Sequence, residues 1–238
     1  MRYQLVPVKN VLLLHSALEA LSQRSSGVPG LGLIHGRTGA GKTTALASMV
    51  ARTSAVFVRA HSAITLSSLL DAICFELRVE GRVGRNNEKF RLICEALQNE
   101  PRPIFIDEGD YLLHDIRMLE ILRDIHDTEQ VPVLLVGMAG IERKLVHRPQ
   151  FARRISQRIE FHPCDLEDAR MVANTLCEVD VKEDLLVLMH KKAQGCIGHM
   201  VVALAQFEAM AKGNRWESMD AKRWGDRTMF LGSDRAVS

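Results

Sequence analysis

The sequence predicts an α/β fold, a five-stranded parallel sheet flanked by helices and followed by a small C-terminal helical lid. Three observations point there. Short, unbroken apolar runs recur between residues 31 and 161, as strands buried on both faces require. Stretches with apolar residues at three- and four-residue steps separate those runs, and that alternation builds parallel sheets. After Pro163 the strand-like runs cease while the helical spacing continues.

Taken in order, Val11, Leu12, Leu14, Ala17, Leu18 and Leu21 mark an amphipathic helix over 8–24, broken by the Ser- and Gly-containing stretch 25–30. Residues 31–34 form a first strand running into Gly36, and 42–52 a helix. A second strand lies at 55–58, a helix at 66–79, and a basic, glycine-containing loop at 80–87. The helical pattern returns at 88–99. A third strand at 103–106, a helix at 116–128, a fourth strand at 132–136 and a short closing strand at 158–161 complete the sheet. Residues 166–177, 185–193 and 197–212 read as helices with no strand between them. The remainder, 213–238, carries Trp216 and Trp224 among mixed charges without a clear period and is set apart as a tail. The expected units are therefore 1–163, 164–212 and 213–238.

Composition narrows the function. With 31 Lys and Arg against 29 Asp and Glu the formal charge is +2, which excludes a polycationic nucleic-acid coat or an acidic tail protein but leaves room for local patches. An apolar share of 47% and a charged share of 25% are those of a globular chain rather than a disordered one. No apolar run reaches the roughly eighteen residues of a membrane span, and the N-terminus lacks a secretory pattern, so a cytoplasmic protein without a membrane partner is expected. Cys74, Cys94, Cys164, Cys177 and Cys196 show no C-x-x-C spacing, which fits buried, inert thiols in a reducing compartment. His147 and His162 have no companions at metal or nucleophile spacing, and Met138, Met171, Met189, Met200 and Met210 read as packing residues.

The chemistry resides in two motifs. Gly36, Arg37, Thr38, Gly39, Ala40, Gly41, Lys42 and Thr43, with Thr44 next, fit G-x-x-x-x-G-K-[ST] between an expected strand and an expected helix. Glycines let successive backbone N–H groups turn inward around phosphate oxygens, and the helix N-terminus adds partial positive charge. Lys42 is expected on the β and γ phosphates of ATP, and the Thr43 hydroxyl on Mg2+. The second motif is the apolar strand ending in Asp107 and Glu108, which delivers carboxylates to the crevice where an open α/β sheet binds ligands. Asp107 is expected to hold the magnesium through water, and Glu108 to orient or deprotonate the attacking water. Together they predict an ATPase built on a P-loop NTPase sheet. A P-loop phosphotransferase acting on a small substrate shares the first motif, but no second substrate pocket or basic mobile lid is evident.

The order of motifs carries a resemblance. A helix, the phosphate loop, Phe-Ile-Asp-Glu-Gly-Asp, a strand ending Leu-Val-Gly-Met, then Arg-Arg-Ile-Ser-Gln-Arg-Ile-Glu-Phe and a helical lid resemble the AAA+ ATPases of DNA transposition, most of all phage Mu B-type target-DNA activators and their transposon-encoded relatives. The likeness runs over about residues 8–212. It implies a homo-oligomer, a helical filament or ring, that binds double-stranded DNA with ATP and hands it to a cognate transposase, in the bacterial host cytoplasm if phage-encoded. It also implies an arginine shortly before the fifth strand that reaches the neighbouring subunit's nucleotide. Arg154 is the best match, with Arg153 and Arg158 nearby. An AAA+ adaptor or loader that recruits a protein partner fits the same motifs.

Three departures temper the resemblance. Gly137-Met138 stands where a polar sensor usually contacts the γ-phosphate, and Met cannot donate a hydrogen bond. Gly195-Cys-Ile-Gly198-His199 stands where the lid would supply a sensor arginine, so either His199 substitutes or the contact is absent. Both imply slow, partner-stimulated hydrolysis. Nor is there room before residue 8 for the helix-turn-helix domain of the Mu B-type proteins, so DNA contact falls to the ATPase core. Arg59, with His61, and the loop cations Arg78, Arg82, Arg85 and Lys89 are the expected phosphate contacts; Lys144, Arg148, Lys191 and Lys192 are secondary. No aromatic interleaves them, so contact is expected to be independent of base sequence.

Overall fold

The computed structural model describes residues 1–2, 4–25, 27–79 and 84–230. The chain divides into two compact units, one comprising Leu13–Gly36 and Lys42–Phe161, the other Met1–Leu12, Arg37–Gly41 and His162–Ser238. Helix α1 (Lys9–Ser22) begins in the second and continues into the first.

In the larger unit, β1 (Leu31–Gly36), α2 (Lys42–Thr53), β2 (Val56–Arg59), α3 (Leu66–Glu76), α4 (Asn86–Asn99), β3 (Ile104–Asp107), α5 (Ile116–Glu129), β4 (Val133–Met138), α6 (Ile141–Val146), α7 (Pro149–Ala152) and β5 (Ile155–Phe161) follow one another. The five strands form one parallel sheet in the order β2-β3-β4-β1-β5. This is the fold the alternating runs predict. Strand β3 is buried at every position, Ile104, Phe105, Ile106 and Asp107 included, which is why it reads as an unbroken apolar run ending in one carboxylate. One layer of the core forms where Leu31, Leu33, Val56, Ile104, Ile106, Val133 and Leu135 meet Leu69, Ile73, Leu119 and Leu122 of α3 and α5.

Local chemistry sets the boundaries. Helix α3 opens on a capping box in which Thr65 and Ser68 each accept the other's backbone N–H, and it ends at Glu76 rather than 79 because Leu77 caps it and Arg78 turns left-handed at φ +56°. Lys89, near the start of α4, is 3% exposed and bonds Ser67 at 2.9 Å and Asp71 at 2.6 Å, near the start of α3. The two helices thus run side by side in one direction. At the N-terminal ends of β2 and β3, Arg102 donates to the carbonyls of Ser54, Ala55 and Glu76. His126 of α5 clasps the opposite half of the same edge. Its Nε2 accepts from Gly30 N–H at 3.0 Å, so Nδ1 carries the proton and donates to Val131 O at 2.8 Å.

A 3₁₀ turn at Gly109–His114, together with α6 and α7, was not among the expected elements; β5 also begins three residues earlier than expected. Each of these pieces spans four to seven residues, too few to display a helical period or a clear apolar run.

The smaller unit contains α8 (Leu166–Leu176), β6 (Asp180–Val181), α9 (Glu183–Ala193), α10 (Ile197–Gly213), β7 (Ser218–Met219) and α11 (Ala221–Trp224). It corrects the reading of 166–212 as helices with no strand between them, and it gives the tail, set apart for want of a period, two elements of its own, β7 and α11. β6 and β7 pair in parallel, and Trp224 is 4% exposed, edge-on to Phe207 of α10 at 4.7 Å with its indole N–H on Arg227 O at 3.0 Å. Met229 is fully buried. Met219, Trp224 and Met229 thus anchor a stretch that is otherwise largely exposed, and their apolar contacts fall on residues too far away in sequence to leave a periodic trace. Residues 231–238 lie outside the described set. Among the described residues no helix is long and apolar enough to cross a membrane.

Candidate nucleotide site

The site builds outward from the C-terminal ends of β1 and β3. β1 delivers Gly36, where an added Cβ would collide with the Phe161 carbonyl of β5, so no side chain fits there. Six residues on, Lys42 opens α2 and folds back so that Nζ donates to Gly36 O at 2.8 Å. Burial pushes its ammonium below the ordinary lysine range, while the nearby charges of Glu108, Asp107 and Asp110 pull it back up. One half-buried cation facing three carboxylates leaves the neighbourhood net negative, so a phosphate group could enter it only together with a cation that offsets the charge.

Thr43 and Asp107 meet directly. The Thr43 hydroxyl donates to Asp107 Oδ2 at 2.9 Å, and Asp107, 2% exposed, uses Oδ1 to accept the Glu108 N–H at 3.0 Å. A hydroxyl and a carboxylate at this separation are hard oxygen donors suited to one Mg2+ ion shared with phosphate oxygens and water. Among the described residues there is no group of three His, Cys, Asp or Glu that could hold a metal unaided.

Glu108 adopts the left-handed conformation, φ +55° and ψ +37°, which costs a non-glycine residue about 1 kcal/mol or more. Its carboxylate is a third exposed and lies 3.6 Å from the guanidinium of Arg59, which ends β2 in register with Asp107. Asp110, which the motif reading left without a role, fills the place opposite Met138. Its Oδ2 accepts the Met138 N–H at 2.6 Å and its Oδ1 lies 3.5 Å from Lys144 Nζ. The signal was present in the sequence as the second Asp of Asp-Glu-Gly-Asp; its partner, a backbone N–H, was not. Met138 itself is 41% exposed at the end of β4, not a packing residue.

The remaining loop residues, Arg37 to Gly41, belong to the smaller unit. Gly39 and Gly41 have φ of +83° and +84°, and a Cβ at Gly39 would strike the sulfur of Cys196. Cys196 and Cys74 are only half-buried, which corrects the expectation of uniformly buried thiols; Cys94, Cys164 and Cys177 are buried, and burial pushes their thiols up to about 12, 12 and 11. His199, on the first turn of α10, stacks on Phe230 with centroids 4.6 Å apart.

The basic residues separate. Arg59 lies beside Glu108 at the C-terminal end of the sheet, and Arg85 caps α4 at the end where α3 also starts. Arg78 lines a pocket with Ser54, Ala55 and Arg102 at the other end of the strands, so it cannot share a surface with Arg59. Lys89 is buried against Asp71 and Ser67 and is spent on holding two helices together, which removes it from the expected phosphate contacts. Arg82 lies outside the described residues. Arg154 precedes β5 and holds Asp127 of α5 through Nε and Nη2, at 3.0 and 2.9 Å; that pairing keeps the Asp127 carboxyl below its usual range. Arg153 beside it is exposed and, among the described residues, makes no ion pair.

Known proteins share this fold. The ORC2 protein of Aeropyrum pernix, solved as ADPNP-ADP complexes, superposes with a TM-score of 0.75 at 17% identity, over 94% of this chain and 68% of that one. CDC6P of Pyrobaculum aerophilum gives 0.64 at 20% identity, covering 92% and 66%. The Aeropyrum pernix ORC1 protein in complex with DNA gives 0.63 at 20% identity, covering 90% and 62%. At these identities the likeness is one of fold. No curated protein matches the chain. The model of the AAA domain family matches residues 25–145, from before the phosphate-loop strand to α6, and the chain belongs to that family.

Proposed function

We propose that this chain is a magnesium-dependent ATPase that assembles on double-stranded DNA when loaded with ATP and delivers that DNA to a transposase. The observation that carries the enzymatic part is the Thr43–Asp107 contact at 2.9 Å, with Lys42 and Glu108 on either side of it. Lys42 neutralises the β and γ phosphates, Thr43 and Asp107 hold the cation, and Glu108 accepts the proton of the attacking water. Gly36, Arg37, Thr38, Gly39, Ala40, Gly41 and Thr44 complete the phosphate cradle. Magnesium, when bound, offsets charge on the transferred phosphoryl group.

The DNA part is supported by the fold shared with a protein solved on DNA and by the cations at one end of the sheet, Arg59 and Arg85. Repetition along a filament multiplies two or three phosphate contacts per copy into a salt-sensitive grip. The transposase part rests on the motif order described above. Across the subunit boundary, the arginine that meets the neighbour's nucleotide is Arg153 or Arg154; Arg154 would first have to leave Asp127, whereas Arg153 is free to reach.

Electron microscopy with unrelated duplex DNA and ATP, ADP or no nucleotide tests the reading. ATP-dependent filaments or rings, prolonged in the Glu108→Gln protein, are expected. A protein that stays monomeric with a non-hydrolysable analogue and DNA sinks the assembly reading. ATPase activity stimulated by a protein partner with DNA absent favours the adaptor reading instead.

A further inference from the structure

Two successive carbonyls of the phosphate loop have partners that the motif does not announce. Asn10, on the first turn of α1, is 4% exposed. Its Nδ2 donates to Ala40 O at 3.3 Å and to His162 O at 2.8 Å, and its Oδ1 accepts the His162 N–H at 3.2 Å. One residue earlier in the loop, Gly39 O accepts the N–H of Ile197, the first residue of α10, at 3.0 Å. Asn10, the loop, His162 and Ile197 all lie in the smaller unit.

The peptide geometry gives this a consequence. A trans peptide is planar, with its C=O and N–H pointing opposite ways, and among the described residues no peptide is cis. Anchoring Ala40 O on Asn10 therefore turns the Gly41 N–H, in the same peptide, to the other side of the loop. Backbone N–H groups are the ligands that such a turn offers to phosphate oxygens. The side chain must be an amide. The carboxylate of an aspartate has no N–H and would set an oxygen against two carbonyl oxygens.

We infer that Asn10 is a positioning residue for the triphosphate, holding Ala40 and the His162 backbone so that the Gly41 N–H is aimed before nucleotide arrives. The inference rests on the nucleotide reading given above. Its sequence signature is a polar residue on the otherwise apolar, buried face of α1 that Val11, Leu14 and Leu18 define.

The test is equilibrium binding of a fluorescent ATP analogue with magnesium to the full chain, in wild type, Asn10→Asp, Asn10→Ser and Lys42→Ala, with melting temperatures measured alongside. Asn10→Asp is expected to weaken binding by about ten- to a hundredfold, the scale of leaving buried acceptors without donors, and by more than it lowers kcat. Asn10→Ser keeps a single donor and falls between; it stands in if the aspartate variant does not fold. A Kd for the folded variant within about twofold of wild type, with only the melting temperature lowered, overturns the positioning role. Wild type that binds no nucleotide, or Lys42→Ala that binds as well as wild type, sinks the nucleotide reading itself. Wild type that binds and Asn10 variants that bind equally sink only this inference.

Discussion

Removing Arg59 should speed the resting enzyme. Its guanidinium lies 3.6 Å from the Glu108 carboxylate, so the group proposed to accept a proton from water is held in part by a cation of its own chain. Two unit charges at that distance attract by about 1 kcal/mol in a water-like dielectric. The two side chains are 62% and 34% exposed, and solvent and side-chain entropy reduce the net value to about 0.2–1 kcal/mol. If Glu108 must leave Arg59 to act, Arg59→Ala raises basal turnover by about 1.4- to 5-fold, since each 1.36 kcal/mol is tenfold in rate. Phosphate release from the DNA-free protein at saturating ATP measures it. The gain should shrink as salt rises, because screening loosens the wild-type pair too. Stimulation by DNA should shrink in parallel, since a DNA phosphate that draws Arg59 away does what the mutation has already done. A basal rate unchanged or lowered at unchanged ATP affinity, or a gain that persists at 1 M salt, refutes the reasoning.

Other outcomes follow from the same geometry. Asp71→Asn leaves Lys89 as a buried cation without its counter-charge and should lower stability by about 1–3 kcal/mol in urea unfolding, while the salt dependence of DNA binding stays as in wild type. Arg85→Glu should weaken DNA binding and reduce the slope of log affinity against log salt by about 1 or more, with nucleotide affinity unchanged. Trp224→Ala should cost about 3–5 kcal/mol by emptying the space against Phe207, read as a lower melting temperature. His126 is buried and holds its proton on Nδ1, and burial lowers its pKa from the ordinary 6.5, with the Val131 carbonyl partly opposing. Above 6.5 the folded and unfolded chains are both neutral there; below it only the unfolded chain takes up the proton, so stability falls as pH drops through that value. Unfolding curves from pH 7.5 to 5 check this, and His126→Asn should flatten that part of the profile.

What the sequence discloses depends on where the cause of each feature sits. The strands are legible because a strand covered on both faces must be apolar at every position, as Ile104, Phe105 and Ile106 are, and because the two chemical motifs begin where such strands end. Thr43 and Asp107, which the motifs assign to one magnesium ion, stand 64 residues apart in sequence and share a hydrogen bond in the structure. Features fixed by a partner remote in sequence were hidden. Lys89 looks like a loop cation until Asp71 is seen beside it, and Arg78 shares a stretch of chain with Arg85 yet lies at the other end of the sheet. The short strands β6 and β7 carry no signal of their own, since each is two residues long and exists only by pairing with the other. Asp110 and Asn10 went unnoticed for the same reason, their partners being backbone groups that every sequence contains.

Glu108 sits on a backbone that glycine would occupy at ease. The chain carries there a side chain that the local torsion angles disfavour, so, on the role proposed for Glu108, tolerance at this position should run opposite to that of its neighbours: what best suits the polypeptide is what removes the carboxylate. A library selected for heat resistance alone would drift toward inactive proteins at residue 108, and one selected for turnover would drift back.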